Sequence, residues 1–479
     1  MIPAPRLSTS LQDQKVPVPL DSVLRLAGEF LDSGQLDQAE PLLDHILSAA
    51  PDAAPALNLK AVLLYLTNRS EAAIELMERA AGVAPDVALF RRNLCPMYER
   101  VGRYGDALRV GRQALDVDRN DLQTLHNLAL VHYRRLELED SIVCARRALA
   151  IDPGAPGPHL QLAETLLLKG DFAEGWEEYE WRFRIPGAAL PLPCNDRPQW
   201  DGTPLAGKAL LLIADQGFGD SIQFCRYIPW VRQWCQDVIV AADPILQPLI
   251  RQVAPGVMTV SRWEECPPFG AYCPLSGLPR LHGTTLATIP GGGERLSADP
   301  DRSAGWRARL DGLIPPGARR VGIVWAGRAT HNNDANRSTT LREFGPIADL
   351  EGIALVSLQK GQAQAAIGAY FGRAPLLNAG AMIADFSDTM AAIETLDLVV
   401  TVDTAVAHLA GAMRKPVWIL LPYAPDWRWL LDRDDSPWYP TVRLFRQSRA
   451  GDWRSVMRRV ADSLVQLKDL RAPQLRPEA

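Results

Sequence analysis

A period of 34 residues in the first part of the chain constrains the fold more than any other feature. Three columns keep that spacing: Gly34, Asn68, Gly102, Leu136 and Gly170; Ala39, Ala73, Ala107, Ser141 and Gly175; and Pro51, Pro85, Arg119 and Pro153. Small residues within a unit let two helices pack closely, and proline after a unit ends its second helix. The period therefore predicts about five helical hairpins, from Val23 to Phe183, that stack on one another.

The repeat pattern resembles the tetratricopeptide repeat, which implies a solenoid over residues 19–184 that binds a polypeptide or a neighbouring domain on its concave face. The alternative is that the repeats only support the next domain. Asn93 and Asn127 lie one repeat apart, at positions where an asparagine side chain could hydrogen-bond an extended backbone. Leu59 and Gln161 interrupt that column, so this indication is weak.

The last repeat unit is rich in aromatic residues. We expect Trp176, Tyr179 and Trp181 to pack against the segment that follows instead of facing water. Residues 185–207 carry five prolines without periodicity and are interpreted as a linker. Residues 1–18 are interpreted as a disordered tail, because their prolines stand among polar residues with no clear period.

Composition limits the kind of partner. The chain has 479 residues, a net charge of −5 and 47% hydrophobic residues, which fits two or three domains. The basic residues are scattered, and this argues against nucleic acid as a partner. No apolar run has the length of a membrane-spanning helix and the N-terminus has no signal-peptide pattern, so we expect a cytoplasmic protein. Seven cysteines without a CxxC pair are typical of reduced thiols.

After the linker, short apolar runs alternate with helical stretches, as in parallel α/β sheets. We place a first α/β half at 208–315 and a second at 316–447, followed by a C-terminal helix and tail at 448–479. The stretch Leu398 to Pro422 is the clearest unit. It predicts a buried strand, a polar turn at Asp403 and Thr404, a short helix and a second strand, which sets that turn at the carboxyl edge of a sheet.

A helix that begins near Thr404 offers N–H groups and a positive dipole end to an anion. The stretch resembles the DTxxxHLA segment of the ADP-heptose:lipopolysaccharide heptosyltransferase family. That resemblance implies a GT-B glycosyltransferase of two Rossmann-like parallel halves, in which Asp403, Thr404, Ala405 and His408 bind the donor diphosphate. It also implies that the final helix, 453–467, crosses back toward the first half. The alternative is that Asp403 and Thr404 cap a helix and His408 is a core histidine.

A second polar turn follows the first predicted strand of the α/β region, in the sequence DQGFGDS. Gly217 and Gly219 would allow a tight turn and close approach of a ligand, although this pattern lacks the third glycine of a dinucleotide-binding loop. With Gln216 they are the candidate donor- or acceptor-binding residues of this turn. The turn resembles the LGD loop of the heptosyltransferases, which implies that Asp220 is the catalytic base. The alternative for Asp220 is an N-cap, and Asp215 is the reserve candidate for the base.

Further polar residues follow the strands of the second half. Arg337 suits bidentate recognition of the donor pyrophosphate, as the resemblance also implies, unless it is a solvated surface arginine. Gln359 and Lys360 are expected at the same edge as Asp403, where they would contact base, ribose or phosphate. Asp385 is interpreted as a helix cap, with a ribose contact as the alternative.

The segment near Trp427 and Trp429 is interpreted as a lock that holds the tail on the core, and the alternative is that its aromatic rings and arginines contact a sugar or a nucleobase. The residues together with the resemblance predict a metal-independent, inverting glycosyltransferase with no cofactor. It would move a sugar from a nucleotide-sugar to an acceptor hydroxyl, on a protein recruited by the repeats. Repeats followed by GT-B halves are similar to O-linked N-acetylglucosaminyltransferases and to bacterial enzymes that modify flagellin. The alternatives are a non-catalytic scaffold and a transferase that acts on a surface glycan.

Overall fold

The computed structural model describes residues 19–185, 187, 192–193, 197–205, 207–291, 295–331 and 333–467. The chain divides into two compact units. The first unit runs to Val131 and includes residues 150–152, and the second contains residues 132–149 and the chain from Pro153 onward. The predicted tails at 1–18 and after 467, together with parts of the predicted linker, lie outside the described residues.

Helices fill the described chain before the linker. They are α1 (Leu20–Asp32), α2 (Leu36–Ala49), α3 (Ala54–Leu66), α4 (Ser70–Val83), α5 (Ala88–Arg100), α6 (Tyr104–Val117), α7 (Leu122–Arg134), α8 (Leu138–Ile151), α9 (Pro156–Lys169) and α10 (Phe172–Tyr179). A 3₁₀ helix, Glu180–Arg184, follows α10. The predicted helical repeats are therefore confirmed.

The repeat columns have direct structural causes. Every residue of the first column has a positive φ: 74° at Gly34, 60° at Asn68, 75° at Gly102, 60° at Leu136 and 97° at Gly170. Each lies in the turn between two helices of a hairpin, and glycine and asparagine adopt this left-handed conformation most readily. The second column is buried between helices: a Cβ on Gly175 would lie 2.8 Å from a methyl carbon of Leu167.

The second unit contains two parallel sheets. The first sheet has the order β3-β2-β1-β4, with strands β1 (Leu210–Ile213), β2 (Val238–Ala241), β3 (Met258–Val260) and β4 (Ala271–Pro274). The helices of this part are α11 (Phe218–Phe224), α12 (Ile228–Val231), α13 (Gln247–Val253) and α14 (Leu278–His282). Leu210 is paired with Val238 on one side and with Ala271 on the other.

The second sheet has the order β10-β9-β8-β5-β6-β7. Its strands are β5 (Arg319–Val324), β6 (Ile353–Ser357), β7 (Leu376–Asn378), β8 (Leu398–Val402), β9 (Val417–Leu421) and β10 (Val442–Arg446). Its helices are α15 (Pro300–Asp311), α16 (Asp334–Arg337), α17 (Gly345–Ala348), α18 (Phe386–Glu394), α19 (Ala405–Ala412) and α20 (Trp453–Gln466). The predicted strand–helix–strand unit after Leu398 is β8–α19–β9.

One hydrophobic core runs through the second unit. It contains Tyr133 and Trp176 from the helical hairpins, Leu212 from the first sheet and Ile419 from the second. The last hairpin, which we grouped with the repeats, therefore shares its core with the α/β region.

The expected crossing of the final helix toward the first half is wrong. The apolar face of α20, which includes Val456 and Val460, packs with Val321 and Phe344 of the second-sheet region.

Candidate functional site

The order of each sheet identifies one edge where a ligand can bind. In the second sheet the chain leaves β5 toward β6 on one side, whereas β8 lies on the other side of β5 and leads to β9. In the first sheet, β1 lies between β2 and β4 in the same way. In parallel α/β sheets, ligands bind at the carboxyl ends of strands where the strand order reverses. The predicted turns at Asp403 and Asp220 follow β8 and β1, beside these two positions.

The N-terminus of α19 lies directly after β8. Thr404 occupies the N-cap position, but its side chain makes no capping hydrogen bond. Its hydroxyl oxygen instead lies 3.1 Å from the hydroxyl oxygen of Thr401. The alternative that Thr404 simply caps the helix is therefore wrong. First-turn N–H groups without a capping side chain suit an anion, and the small Ala405 leaves room for it.

Asp403 and His408 flank this helix start. Both are buried, and His408 Nε2 lies 3.9 Å from Asp403 Oδ1. His408 Nδ1 is 2.9 Å from the hydroxyl of Tyr439. Burial, with the charge of Arg428 next, holds the pKa of His408 well below its usual value, so the ring is neutral near pH 7. His408 thus has the partner that a core histidine requires.

The carboxyl group of Asp403 has a shifted titration. Burial, with the carboxylate of Asp426 next, raises the pKa of Asp403 to about 6. The Trp429 indole and the charges of Arg337 and Arg428 act in the opposite direction. The guanidinium groups of Arg337 and Arg428 therefore lie close enough to Asp403 for their charges to act on its carboxyl group.

Arg428 connects the candidate catalytic aspartate to the second sheet. This buried guanidinium donates to Asp220 Oδ1 at 2.5 Å, to both oxygens of Asp426 at 2.9 and 3.1 Å, and to Gln223 Oε1 at 2.7 Å. Asp220 lies in the first turn of α11, whose N-cap residue is Gly217, so the N-cap alternative for Asp220 is wrong. The Asp220 side chain keeps 26% of its surface exposed.

The first turn of α11, which contains Gly219, touches the start of α19. A Cβ on Gly219 would lie 2.8 Å from Cδ2 of His408 and 3.6 Å from the Cα of Ala405. A side chain at this position would therefore collide with the imidazole ring. The contact brings the predicted catalytic loop and the predicted diphosphate-binding turn together in one site.

Arg337 lies against the loop that follows β5. A Cβ on Gly327 would lie 2.6 Å from Arg337 Nη2, and Arg337 Nε is 3.5 Å from Asp334 Oδ1. The side chain is largely buried, and its charge acts on Asp403 and His408. Arg337 is therefore not a solvated surface arginine.

Lys360 and Gln359 lie after β6, but their side chains are engaged by the backbone. The Lys360 ammonium donates to the carbonyls of Gly380 and Ile383. The Gln359 amide accepts from the N–H groups of Trp325 and Ala326 and donates to the carbonyl of Ala326. These bonds hold the loops after β5 and β6 together, and both residues follow β6 at the carboxyl edge of the sheet where we expected them.

The edge of the first sheet is filled by the chain that follows α10. Asp215 accepts hydrogen bonds from the backbone N–H and the hydroxyl of Ser276, which follows β4. The buried Arg182 donates from Nε to that hydroxyl at 3.1 Å and lies 3.9 Å from Asp215. Gln216 donates to the hydroxyl of Tyr179 at 3.0 Å. Asp215, the reserve candidate for the base, is thus buried in a structural network.

The aromatic residues of the last hairpin divide into two groups. Trp176 and Tyr179 contact Trp427 edge to face, with ring centroids 5.2 and 6.0 Å apart, as expected of residues that pack against the following chain. Trp181 was expected to do the same, and this is wrong. It stacks on His159 of its own hairpin, with ring centroids 3.7 Å apart.

Two further predictions concern the end of the second sheet. Trp427 and Trp429 are buried, as expected of a lock. Asp385 caps α18 by accepting from the N–H of Asp388 at 2.7 Å, and it also pairs with Arg302.

Sequence reasoning missed Arg428, Asp426 and Gln223 as site residues. Arg428 and Asp220 are 208 positions apart, so no local pattern links them. The closely spaced aspartate and arginine in PDWRW were the available signal, but we interpreted that segment first as a lock and only second as a sugar or nucleobase contact. Glu164 of α9 was also missed: burial, with Asp426 next, raises its pKa to about 7.

A cluster of possible metal ligands lies outside the candidate site at the start of α19. Among the described residues, His132, Glu137 and Asp140 have ligand atoms within 4.8 Å of one another. Glu137 is already paired there with His132 and Arg135. At the candidate site, the carboxylates of Asp220 and Asp426 are bonded to Arg428 instead of being free to bind an ion.

The described residues define a protein in which helical repeats precede parallel α/β sheets. Residues 30–92 match the tetratricopeptide repeat family, so the N-terminal helices are tetratricopeptide-like. None of the described helices combines the length and the apolar character that a membrane crossing requires.

Protein FlbA of Caulobacter vibrioides is 27% identical over 454 residues, which cover 88% of this chain and 74% of that protein. Two solved structures are also similar in part. Pseudomonas aeruginosa pilF is 19% identical, covering 35% of this chain and 77% of its own, with a TM-score of 0.33. A tetratricopeptide-repeat protein of Thermus thermophilus is 22% identical, covering 35% of this chain and 91% of its own, with a TM-score of 0.32.

Proposed function

We propose that this chain is a metal-independent, inverting glycosyltransferase of the GT-B type. It transfers a sugar from a nucleotide-sugar to a hydroxyl group of a protein that the repeats recruit. The observation that carries the proposal is the contact of Gly219 with His408 and Ala405. This contact joins a carboxylate suited to accept a proton with a helix start suited to hold a diphosphate.

The chemistry follows from these groups. The donor diphosphate lies on the first-turn N–H groups of α19, where Arg337 neutralises its charge. The acceptor oxygen attacks the anomeric carbon from the face opposite the diphosphate, and the bond from that carbon to the diphosphate oxygen breaks. Asp220 takes the proton of the attacking hydroxyl while Arg428 holds its other oxygen in place. The nucleoside diphosphate leaves with the bonding electrons, stabilised by the same fixed positive groups.

A second candidate is a scaffold that binds a nucleotide without turnover. The hydrogen bond from Arg428 to Asp220 favours it, because a carboxylate held by a buried guanidinium gives up part of its capacity to accept a proton. Both candidates require the nucleotide to bind, so binding alone does not separate them.

The first test is a thermal-shift and calorimetric screen against UDP, GDP, ADP, CMP and their sugars with EDTA present. A single tight ligand supports the donor site and identifies the nucleotide. The second test compares Asp220→Asn with Asp243→Asn, which changes an aspartate in the loop after β2. We expect Asp220→Asn to reduce transfer by roughly 100-fold or more and to leave nucleotide affinity within about twofold. Equal transfer by both variants would exclude Asp220 as the base, and absent transfer in the unmodified chain would favour the scaffold.

A further inference from the structure

The segment Pro425–Leu430 carries both Asp426 and Arg428 and is held from outside the second sheet. Its backbone is tightly turned: the N–H of Trp429 bonds to the carbonyl of Asp426, and the N–H of Leu430 bonds to that of Trp427. Leu430 ends the segment with φ of 50°, a left-handed conformation that costs a branched side chain energy. Such a conformation persists when its surroundings determine it.

The last helical hairpins provide those surroundings. The hydroxyl of Tyr133, in α7, donates to the carbonyl of Pro425 at 3.0 Å in a buried contact. Trp176, in α10, packs edge to face on Trp427, and its indole N–H donates to the carbonyl of Thr284 at 3.0 Å. Trp427 in turn lies under the guanidinium of Arg428, 4.1 Å from the ring centroid.

These contacts form a chain that ends at the candidate base. Tyr133 fixes the carbonyl before Asp426, Asp426 and Trp427 fix Arg428, and Arg428 fixes one oxygen of Asp220. An error in the position of a catalytic group costs rate even when substrate binding is preserved. The side chains that hold Arg428 are therefore expected to influence turnover.

We propose that Tyr133 is a positioning residue for the transfer reaction, acting on Asp220 through the Pro425–Leu430 segment. The inference rests on the proposed function for its effect on turnover, but the restraint on the segment does not depend on that function. The last hairpins would then take part in building the site as well as in recruiting a partner.

The test uses Tyr133→Phe, which removes only the hydroxyl. Its matched control is Tyr370→Phe, because the hydroxyl of Tyr370 also donates to a backbone carbonyl, that of Ala374 at 2.7 Å. Hydrogen exchange of peptides covering Pro425–Leu430 is measured in the full chain. We expect exchange there to become roughly tenfold faster in Tyr133→Phe, the factor that one ordinary hydrogen bond supplies, and to be unchanged in Tyr370→Phe. Unchanged exchange in Tyr133→Phe overturns the inference.

Turnover is measured as release of nucleoside diphosphate from the nucleotide-sugar selected by the binding screen. We expect Tyr133→Phe to lower kcat roughly tenfold, to leave KM for the donor within about twofold and to alter the pH profile of kcat. In an Arg428→Lys background the hydroxyl should have no further effect on kcat, because the path to Asp220 is already broken. A change confined to KM, or a full additional loss in that background, overturns the inference. If the unmodified chain neither binds nor cleaves any donor, the proposed function fails and the exchange measurement still decides the restraint.

Discussion

The two sheets differ at the edges where their strand order reverses. At the second sheet, α19 begins with Thr404, whose side chain leaves the first helical turn uncapped, and Arg337 lies nearby without a full set of partners. At the first sheet, the corresponding position is filled by Arg182, which bonds to Ser276 beside Asp215. The edge of the second sheet therefore presents polar groups to a ligand, whereas the edge of the first sheet is occupied by the side chain of Arg182. We call the latter the filled edge.

The first sheet therefore contributes the first turn of α11 to the site, and in the described part of the chain its own carboxyl edge has no open crevice. Arg182 follows the last hairpin, and its guanidinium also lies 4.4 Å from the ring of Tyr179. The helical hairpins thus supply the cover that a larger first half would otherwise provide. A donor is expected only over the second sheet, with Asp220 reaching it from the side.

The largest predicted effect is at the filled edge. Arg182→Ala leaves Asp215 buried without its cationic neighbour, and removal of one partner from a buried ion pair costs about 3 to 5 kcal/mol. We expect the midpoint of urea unfolding, followed by tryptophan fluorescence, to fall accordingly. Arg184→Ala, two positions away at an exposed arginine, is the control and should change the midpoint little. Equal effects of the two variants would show that Arg182 does not fill a structural position.

The contacts at the filled edge of the first sheet also show which features of the fold can be predicted from the sequence and which cannot. The 34-residue columns predicted the hairpins because each column has a local cause, such as the left-handed turn at Gly102. The turn after β8 was predicted because strand, turn and helix follow one another in the chain. Arg182 at Asp215 and Arg428 at Asp220 join distant segments, and local patterns carry no information on such contacts. The position of Lys360 after β6 followed from the local pattern, whereas the carbonyls that its ammonium binds did not.

The second prediction concerns the pH dependence of stability that arises from Asp403, at the edge of the second sheet beside α19. The pKa of Asp403 is about 6 in the folded chain, compared with 3.8 for an unperturbed aspartate. Between these values the folded chain keeps a proton that the unfolded chain has lost. The contribution of Asp403 to the free energy of unfolding is therefore greatest below pH 4 and falls as pH rises through 6, by up to about 3 kcal/mol. Asp403→Asn cannot ionise, so we expect it to gain stability relative to the unmodified chain between pH 4.5 and about 7.5.

The control for this prediction is Asp106, whose pKa is shifted in the direction opposite to that of Asp403. Hydrogen bonds from Arg109 and Arg103 lower the pKa of Asp106, so the contribution of Asp106 to stability is present at neutral pH and is lost on acidification. Asp106→Asn should therefore be less stable than the unmodified chain by a constant amount between pH 4.5 and about 7.5, and this difference should shrink only as pH falls below the ordinary aspartate value of 3.8. Urea unfolding of both variants at several pH values makes the comparison. Parallel pH profiles for Asp403→Asn and the unmodified chain would contradict the buried environment of Asp403.

The smallest predicted effect separates two cations on the second sheet. Arg337→Ala should weaken binding of the nucleotide found in the screen by about 1.5 to 3 kcal/mol, the contribution of a charged hydrogen bond. Lys360→Met is the matched variant, because Lys360 follows the neighbouring strand but donates to the carbonyls of Gly380 and Ile383. It should lower stability and change nucleotide affinity by less than about twofold, since the ammonium is already engaged. Calorimetry measures the nucleotide affinity of both variants. If Lys360→Met weakened binding and Arg337→Ala did not, the anion site would lie at the end of β6 and not between β5 and β8.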